Sequence, residues 1–356
     1  MLALLLLSVS LPVKADWLET ELEEELPVDG LREYAEESGL DEFGTLRDFR
    51  AWDALSSLLR KAAAAAVSKE VLRVTAASLL IVLLCSLLRS VFTVSGTKMD
   101  VITLTGAAAI TMLTMEGNGA LTKLSVETLG KAQDLANVLL PVLSGAALLS
   151  GSVTAAAAKY AAAAFFLNIL LNLCVNGIVP VVQLYTAAAA AEAASGSELL
   201  SGVLGFLKRC ATLALTVVLL AFTIYISLCG LIQGATDAAV LRGAKTTIST
   251  VLPLVGSIAS DAASAILAAA GVLRQSVGVF GLTALAAALL LPFLRAGLQY
   301  LFFKGAAGIS AGLSDKRLNK LLERLSEAMA MLLACIGSCG LMLFLSIYAL
   351  MKVTLG

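Results

Sequence analysis

The chain of 356 residues contains no histidine, and only 14% of it is Asp, Glu, Lys or Arg. Imidazole is the commonest general acid and base near neutral pH and a frequent metal ligand, so its absence excludes histidine-dependent catalysis and histidine metal sites. A charged fraction this far below the usual value of about 25% excludes a single water-soluble globule. No phosphate-cradling Gly-x-x-x-x-Gly-Lys-Ser/Thr and no Cys-x-x-Cys occurs, so nucleotide hydrolysis and thiol redox chemistry find no support. We expect a protein that is not an enzyme and carries no cofactor and no metal.

Cysteine is present but badly placed for a disulfide framework. All six residues, Cys85, Cys174, Cys210, Cys229, Cys335 and Cys339, fall in apolar stretches, where they read as small packing residues. Cys335 and Cys339 share a helix face at i, i+4, but no other soft ligand lies nearby in sequence to complete a metal site.

Hydrophobic residues make up 59% of the chain, and mean hydropathy is +0.92. Most of this apolar content sits in long runs, so the expected fold is an all-α polytopic membrane protein. We expect about eight transmembrane or intramembrane helices plus interfacial amphipathic ones. The candidate spans are Val74 to Val94, Val101 to Met115, Leu135 to Ala158, Tyr160 to Tyr185, Cys210 to Gln233, Ile248 to Leu273, Val277 to Phe303 and Ala328 to Met351.

Residues 1–15 (MLALLLLSVSLPVKA) combine an apolar run with Val13 and Ala15 at the −3 and −1 positions of a signal-peptidase site. Residues 16–52 form an acidic segment, expected to lie outside the cytoplasm. From Asp16 to Leu55 there are 14 acidic and 3 basic residues, whereas from Ser56 onward there are 12 acidic and 21 basic. An acidic head does not suit nucleic acid as a partner. Residues 53–73 show a Trp52, Leu55, Leu59, Ala62 stripe opposite Arg60 and Lys61, as an interfacial helix does, and 74–356 form the membrane domain.

Two linkers share that amphipathic form: Ser197 to Arg209, and Asp315 to Glu327 with Leu318, Leu321, Leu322 and Leu325 on one face. Eight spans after an exterior head make Ser95 to Asp100, the surroundings of Lys159, Thr236 to Thr247 and Lys304 to Ser326 cytoplasmic loops. Lys304, Lys316, Arg317, Lys320 and Arg324 agree with the positive-inside bias, while Lys208 and Arg209 fall on the wrong side.

The segment Ile248 to Leu273 is marginal as a span. Its ten Val, Leu and Ile residues favour insertion by about 3 to 6 kcal/mol, against about 2.5 to 3.5 kcal/mol for Asp261 near its centre. Pro253 and Gly256 weaken it further, so Asp261 needs water or protein around it. Two readings stand side by side: a cavity- or pore-lining helix broken at Pro253 and Gly256, or an Asp satisfied by a neighbour such as Arg274 or Arg295. Just upstream, Gly230 and Gly234 give a small-xxx-small packing face, and Asp237, Arg242 and Lys245 cluster in the turn that follows. Gly308 to Gly312 is a weaker instance of the same pattern. A carboxylate pair of Asp237 and Asp261, as in an intramembrane protease, has nothing in its favour beyond the two acids.

The stretch Gly230 to Leu282 resembles the most characteristic part of the stage III sporulation protein AE family of endospore-forming bacteria. The features that carry the resemblance are Ala235-Thr236-Asp237, Arg242-x-Ala244-Lys245, Pro253-x-x-Gly256, Asp261-Ala262 and Val277-Gly278-Val279-Phe280-Gly281. The resemblance implies a multi-pass component of the mother-cell membrane. It would act with the other products of its operon and with a forespore-membrane partner, in a trans-envelope channel or secretion-like apparatus energised by a separate ATPase. A homo-oligomer is a further expected association. A solute permease with a midplane site near Asp261, or a membrane scaffold without a pore of its own, are the alternatives. Reporter fusions in the Lys316 loop are expected to read cytoplasmic; a reading from the exterior would overturn this topology.

Overall fold

A computed structural model of the chain describes residues 51–67, 69–91, 96–149, 153–251, 256–312 and 316–351. Side chains are described except at 229–251, 256–270 and a few further positions. The expected signal peptide and nearly all of the acidic segment 16–52 lie outside the described residues.

The described residues are helical almost throughout, without a strand among them. The helices are α1 (Ala51–Ala66), α2 (Lys69–Val91), α3 (Gly96–Leu149), α4 (Val153–Asn172), α5 (Val179–Ser195), α6 (Glu198–Val251), α7 (Gly256–Ser310) and α8 (Lys316–Met351). A π-helical turn, Leu173–Ile178, joins α4 to α5, and there the Val179 N–H donates to the Cys174 carbonyl. Pro180 explains its position. Proline has no N–H to donate and its ring pushes away the carbonyl four residues back, so widening the preceding turn lets the helix continue.

The contacts fix direction. On α7 and α8, Gly278 faces Met351, Leu289 faces Gly340, Phe293 faces Gly337 and Gly297 faces Leu333, so the two helices run antiparallel, with glycines letting them approach closely. Cys85 and Val74 of α2 meet Gly106 and Gly117 of α3, again antiparallel, as do Leu139 of α3 and Gly281 of α7. Phe166 of α4 meets Phe222 and Tyr225 of α6. α6 and α8 are parallel: Ser201 pairs with Lys320, and Lys208 with Glu327. Successive long elements therefore alternate up and down. One end of the bundle holds the α5–α6 turn at Gly196, Ser310 and the start of α8; the other holds Lys159, whose ammonium donates to the Ala349 carbonyl at 3.1 Å. α8 is the innermost helix, buried on most of its faces from Leu318 to Leu350.

Among the described residues, five helical segments are long and apolar enough to cross a membrane: Ser56–Val91, Ala156–Ser195, Glu198–Leu228, Arg274–Ser310 and Lys316–Met351. The expected eight are corrected in three places. Val101 to Met115 and most of Leu135 to Ala158 belong to the single helix α3 of 54 residues, about 80 Å of continuous helix. Hydropathy breaks there because residues 116–134 are polar, but the backbone does not. Ser125 and Thr128 return their hydroxyls to the Leu121 and Leu124 carbonyls at 2.8 and 2.6 Å, so they face inward at little cost. The expected span Ile248 to Leu273 is divided between the end of α6 at Val251 and the start of α7 at Gly256. The expected loops at Thr236 to Thr247 and around Lys159 are helical, as are Gly96 to Asp100 and, within Lys304 to Ser326, residues 304–310 and 316–326, while Ala311 and Gly312 form a turn.

The amphipathic segments are also re-placed. Leu318, Leu321, Leu322 and Leu325 are at most 1% exposed, so the described part of the expected surface helix Asp315 to Glu327, from Lys316 on, is the first turns of α8, packed into the core. Ser197 to Arg209 is likewise the start of α6, with Leu204 buried and Val203 half exposed. α1 packs on α7, where Arg295 Nη2 donates to the Ala65 carbonyl at 3.4 Å in the last turn of α1. Of the cysteines, Cys85, Cys174, Cys335 and Cys339 are buried and free, as packing residues should be, and Cys210 is exposed.

Because α6 and α8 are parallel, Lys208 and Arg209 start from the same end of the bundle as Lys316 to Arg324, which removes the charge conflict left by eight alternating spans. Reporters inserted at Ser197 and at Ser314 are expected to give the same compartment; opposite readings would refute the parallel arrangement.

Candidate functional site: a polar network and a charged stripe in an apolar bundle

At the Gly196 end, seven polar side chains from α5, α6 and α8 converge. α5 ends at Gly196, whose φ of 68° is the left-handed conformation that glycine adopts without a Cβ penalty, and its N–H donates to the Glu192 carbonyl at 2.8 Å. This turn brings the first turns of α6 back beside Glu192. α8 arrives there with Lys320, Arg324 and Glu327 on the face opposite its leucine stripe. Arg324 Nε donates to Glu192 Oε2 at 3.1 Å, its Nη1 to Glu327 Oε2 at 3.1 Å and to Tyr185 Oη at 3.3 Å, and its Nη2 to Ser201 Oγ at 3.0 Å. Tyr185 donates to Glu327 Oε2 in turn. Lys320 lies 2.7 Å from Glu192 Oε1, and Lys208 lies 2.8 Å from Glu327 Oε1.

Two carboxylates thus face three cations, with the Glu192 side chain 5% and that of Arg324 13% exposed. Taking these charges out of water is expensive, and only this complete set of partners offsets it. Among the described residues no group of three or more Cys, Asp or Glu converges as metal ligands would.

A second polar feature runs along α3. Its outward face begins apolar, with Met112 79% exposed, and then carries Lys123, Glu127, Lys131 and Asp134, all exposed. Lys123 and Glu127 approach only to 3.9 Å. On transfer scales each such group at a bilayer centre costs about 2.5 to 3.5 kcal/mol, so the four together amount to roughly 10 kcal/mol if hydrocarbon surrounds them. Beside the stripe a cavity of about 310 Å³ opens between α2, α3 and α7, lined by Val71, Val74, Leu121, Arg295 and Gln299, with Lys123 and Glu127 at its edge. On the other side, Gln133 Nε2 donates to Asn168 Oδ1 of α4 at 3.5 Å.

The residues singled out from sequence are placed unevenly. Gly230, Gly234, Asp237, Arg242 and Lys245 all lie on α6, so the cluster expected in a turn is helical. Gly256 opens α7, and Asp261 lies in its second turn. The side chains of Asp237, Arg242, Lys245 and Asp261, and all of Pro253, lie outside the described residues. Arg274 is buried near the start of the fourth apolar segment, and Arg295 bonds to α1. Gly308 to Gly312 also spells Gly-x-Ser-x-Gly, the lettering of a nucleophile elbow. Ser310 is fully buried at the end of a helix, bonded to Asn319 Oδ1 at 2.8 Å, and no histidine exists to activate it, so the lettering carries no chemistry. Sequence reading missed the Arg324 network because its partners lie more than 100 residues apart. The one available signal was the pair of basic-faced amphipathic segments at 197–209 and 315–327.

Five membrane-length apolar helices among the described residues of an all-α bundle define a helical protein of membrane class. The chain belongs to the stage III sporulation protein AE family, whose profile matches residues 47–354. It is 25% identical over 209 residues to the stage III sporulation protein AE of Bacillus subtilis (strain 168), covering 59% of this chain and 52% of that protein. The chain therefore spans about half the length of the curated relative it matches. No solved structure matches it.

Glu192→Ala leaves Arg324 and Lys320 without their shared carboxylate on α5. It is expected to destabilise the bundle in detergent by about 3 kcal/mol, read as a lowered unfolding midpoint. Lys320→Ala, which removes a half-exposed cation and leaves Arg324 on Glu192, should cost under about 1 kcal/mol.

Proposed function

We propose that this chain is a multi-pass membrane subunit of the trans-envelope channel or secretion-like apparatus that joins mother cell and forespore during endospore formation. The observation that carries this reading is membership of the sporulation family over residues 47–354, together with five membrane-length helices among the described residues. The subunit resides in the mother-cell membrane around the forespore, with its acidic amino-terminal segment on the extracytoplasmic side. It works with the other products of the stage III operon and with a forespore-membrane protein, and performs no catalysis of its own.

The charged stripe on α3 supports a channel over a scaffold, since a helix whose outer face met only lipid would not carry four ionisable groups at that place. A scaffold would tolerate Asp261→Asn and fail when Gly230, Gly234 or Gly256 is enlarged; a conducting subunit responds the other way. In a mild-detergent pull-down from sporulating cells, the tagged chain is expected to recover other stage III proteins. Recovery of the chain alone would count against a multi-protein apparatus.

A further inference from the structure

We propose that the outward face of α3 bearing Lys123, Glu127, Lys131 and Asp134 lines a water-filled path through the membrane, open to small hydrophilic solutes. The inference rests on the reading of the chain as a membrane-embedded channel subunit and identifies which surface of it would meet the permeating solution.

The first argument is depth. The cavity beside Lys123 and Glu127 places them level with Arg295 and Gln299. Those two residues stand 15 and 11 positions before the end of α7 at Ser310, or about 17 to 22 Å along the helix. Gln133, next to Lys131 and Asp134, meets Asn168, 12 positions or about 18 Å inside the start of the Ala156–Ser195 segment. The stripe therefore occupies the central part of the bundle, where a hydrocarbon layer about 30 Å thick would lie, and it is not at an end where long side chains could reach the interface.

The second argument is contrast. At comparable depth the outer face of α6 carries Leu213, Val217, Leu220 and Ile224, each more than half exposed, as a surface against lipid tails should. On α3 the equivalent face is ionic and solvent-accessible, with side-chain exposures of 80% for Lys123 and 56% for Glu127. Their mutual contact is loose, so another ion pair does not hide them from the surroundings.

The third is continuity. Polar groups extend from the stripe both ways: to Gln299, which is 2% exposed and lines the cavity, and to Asn137, Gln133 and Asn168 along the α3–α4 groove. The order of signs along the face, positive, negative, positive, negative, gives no net charge. Such a wall suits hydrophilic solutes without strong preference between cations and anions.

The test is cysteine accessibility in the full-length protein in membranes of sporulating cells, on a background carrying Cys210→Ser and Cys229→Ser. Lys123→Cys, Glu127→Cys, Lys131→Cys and Asp134→Cys are compared with Leu213→Cys, Val217→Cys and Leu220→Cys. Asn137→Cys, uncharged to begin with, reads the same face with least disturbance of the fold. A membrane-impermeant maleimide is expected to modify the α3 positions about tenfold or more faster than the α6 positions, because the thiolate that reacts forms in water and not in hydrocarbon. Reaction at the α3 positions no faster than on α6, or only after detergent, would overturn the inference: the face would then be covered by lipid or by another protein. Recovery of stage III partners by the same variants reports separately on the proposed function, so a silent stripe with an intact complex sinks only the water path.

Discussion

The bundle is organised around one cation that is mostly withdrawn from water. Arg324 spends its guanidinium hydrogen bonds on Glu192 and Tyr185 of α5, Ser201 of α6 and Glu327 one turn along its own helix. A planar donor with five N–H groups can satisfy several acceptors at once, which a lysine at the same place could not. In an apolar bundle, where leucine packs as well against lipid as against protein, this directional set chooses which helices are neighbours and in what register. Closing it requires α6 to lie parallel to α8 and α5 antiparallel. The alternation of the remaining helices is consistent with that choice.

Close packing then completes what the network starts. Gly106 stands against the Cys85 thiol, with a Cβ placed there only 2.6 Å from the sulfur, and Gly337 and Gly340 of α8 receive Phe293 and Leu289 of α7. These contacts draw α2 and α7 in tightly around α3 and α8. The result leaves α3 in an unusual position: its inner face is core, with Leu129, Leu135 and Leu139 at most 1% exposed, while its outer face is ionic at mid-height. A helix of that kind is costly for a protein that merely sits in lipid, and reasonable for one that faces water on one side.

Hydropathy found the class of the protein and most of its apolar segments because lipophilicity is a local property, legible residue by residue. It failed on α3 for the same reason. A window average cannot distinguish a polar loop from a helix whose Ser and Thr hydroxyls bond back to their own turn and whose charges point outward. Miscounting there, and reading Ile248 to Leu273 as one crossing, set the basic residues Lys208 and Arg209 on the wrong side.

What the amino-acid order determined alone was the helical membrane character, the absence of histidine chemistry and, through the motifs between Gly230 and Leu282, the family. Each of these depends on composition or on residues close together along the chain. The parallel pairing of α6 with α8, the burial of the Asp315 to Glu327 leucines, the Arg324 network and the central placement of the α3 charges were decided only by tertiary structure. They depend on partners on different helices, over 100 residues apart for most of the Arg324 network, whose meeting is set by the joint packing of several helices and leaves no periodic trace in any one of them.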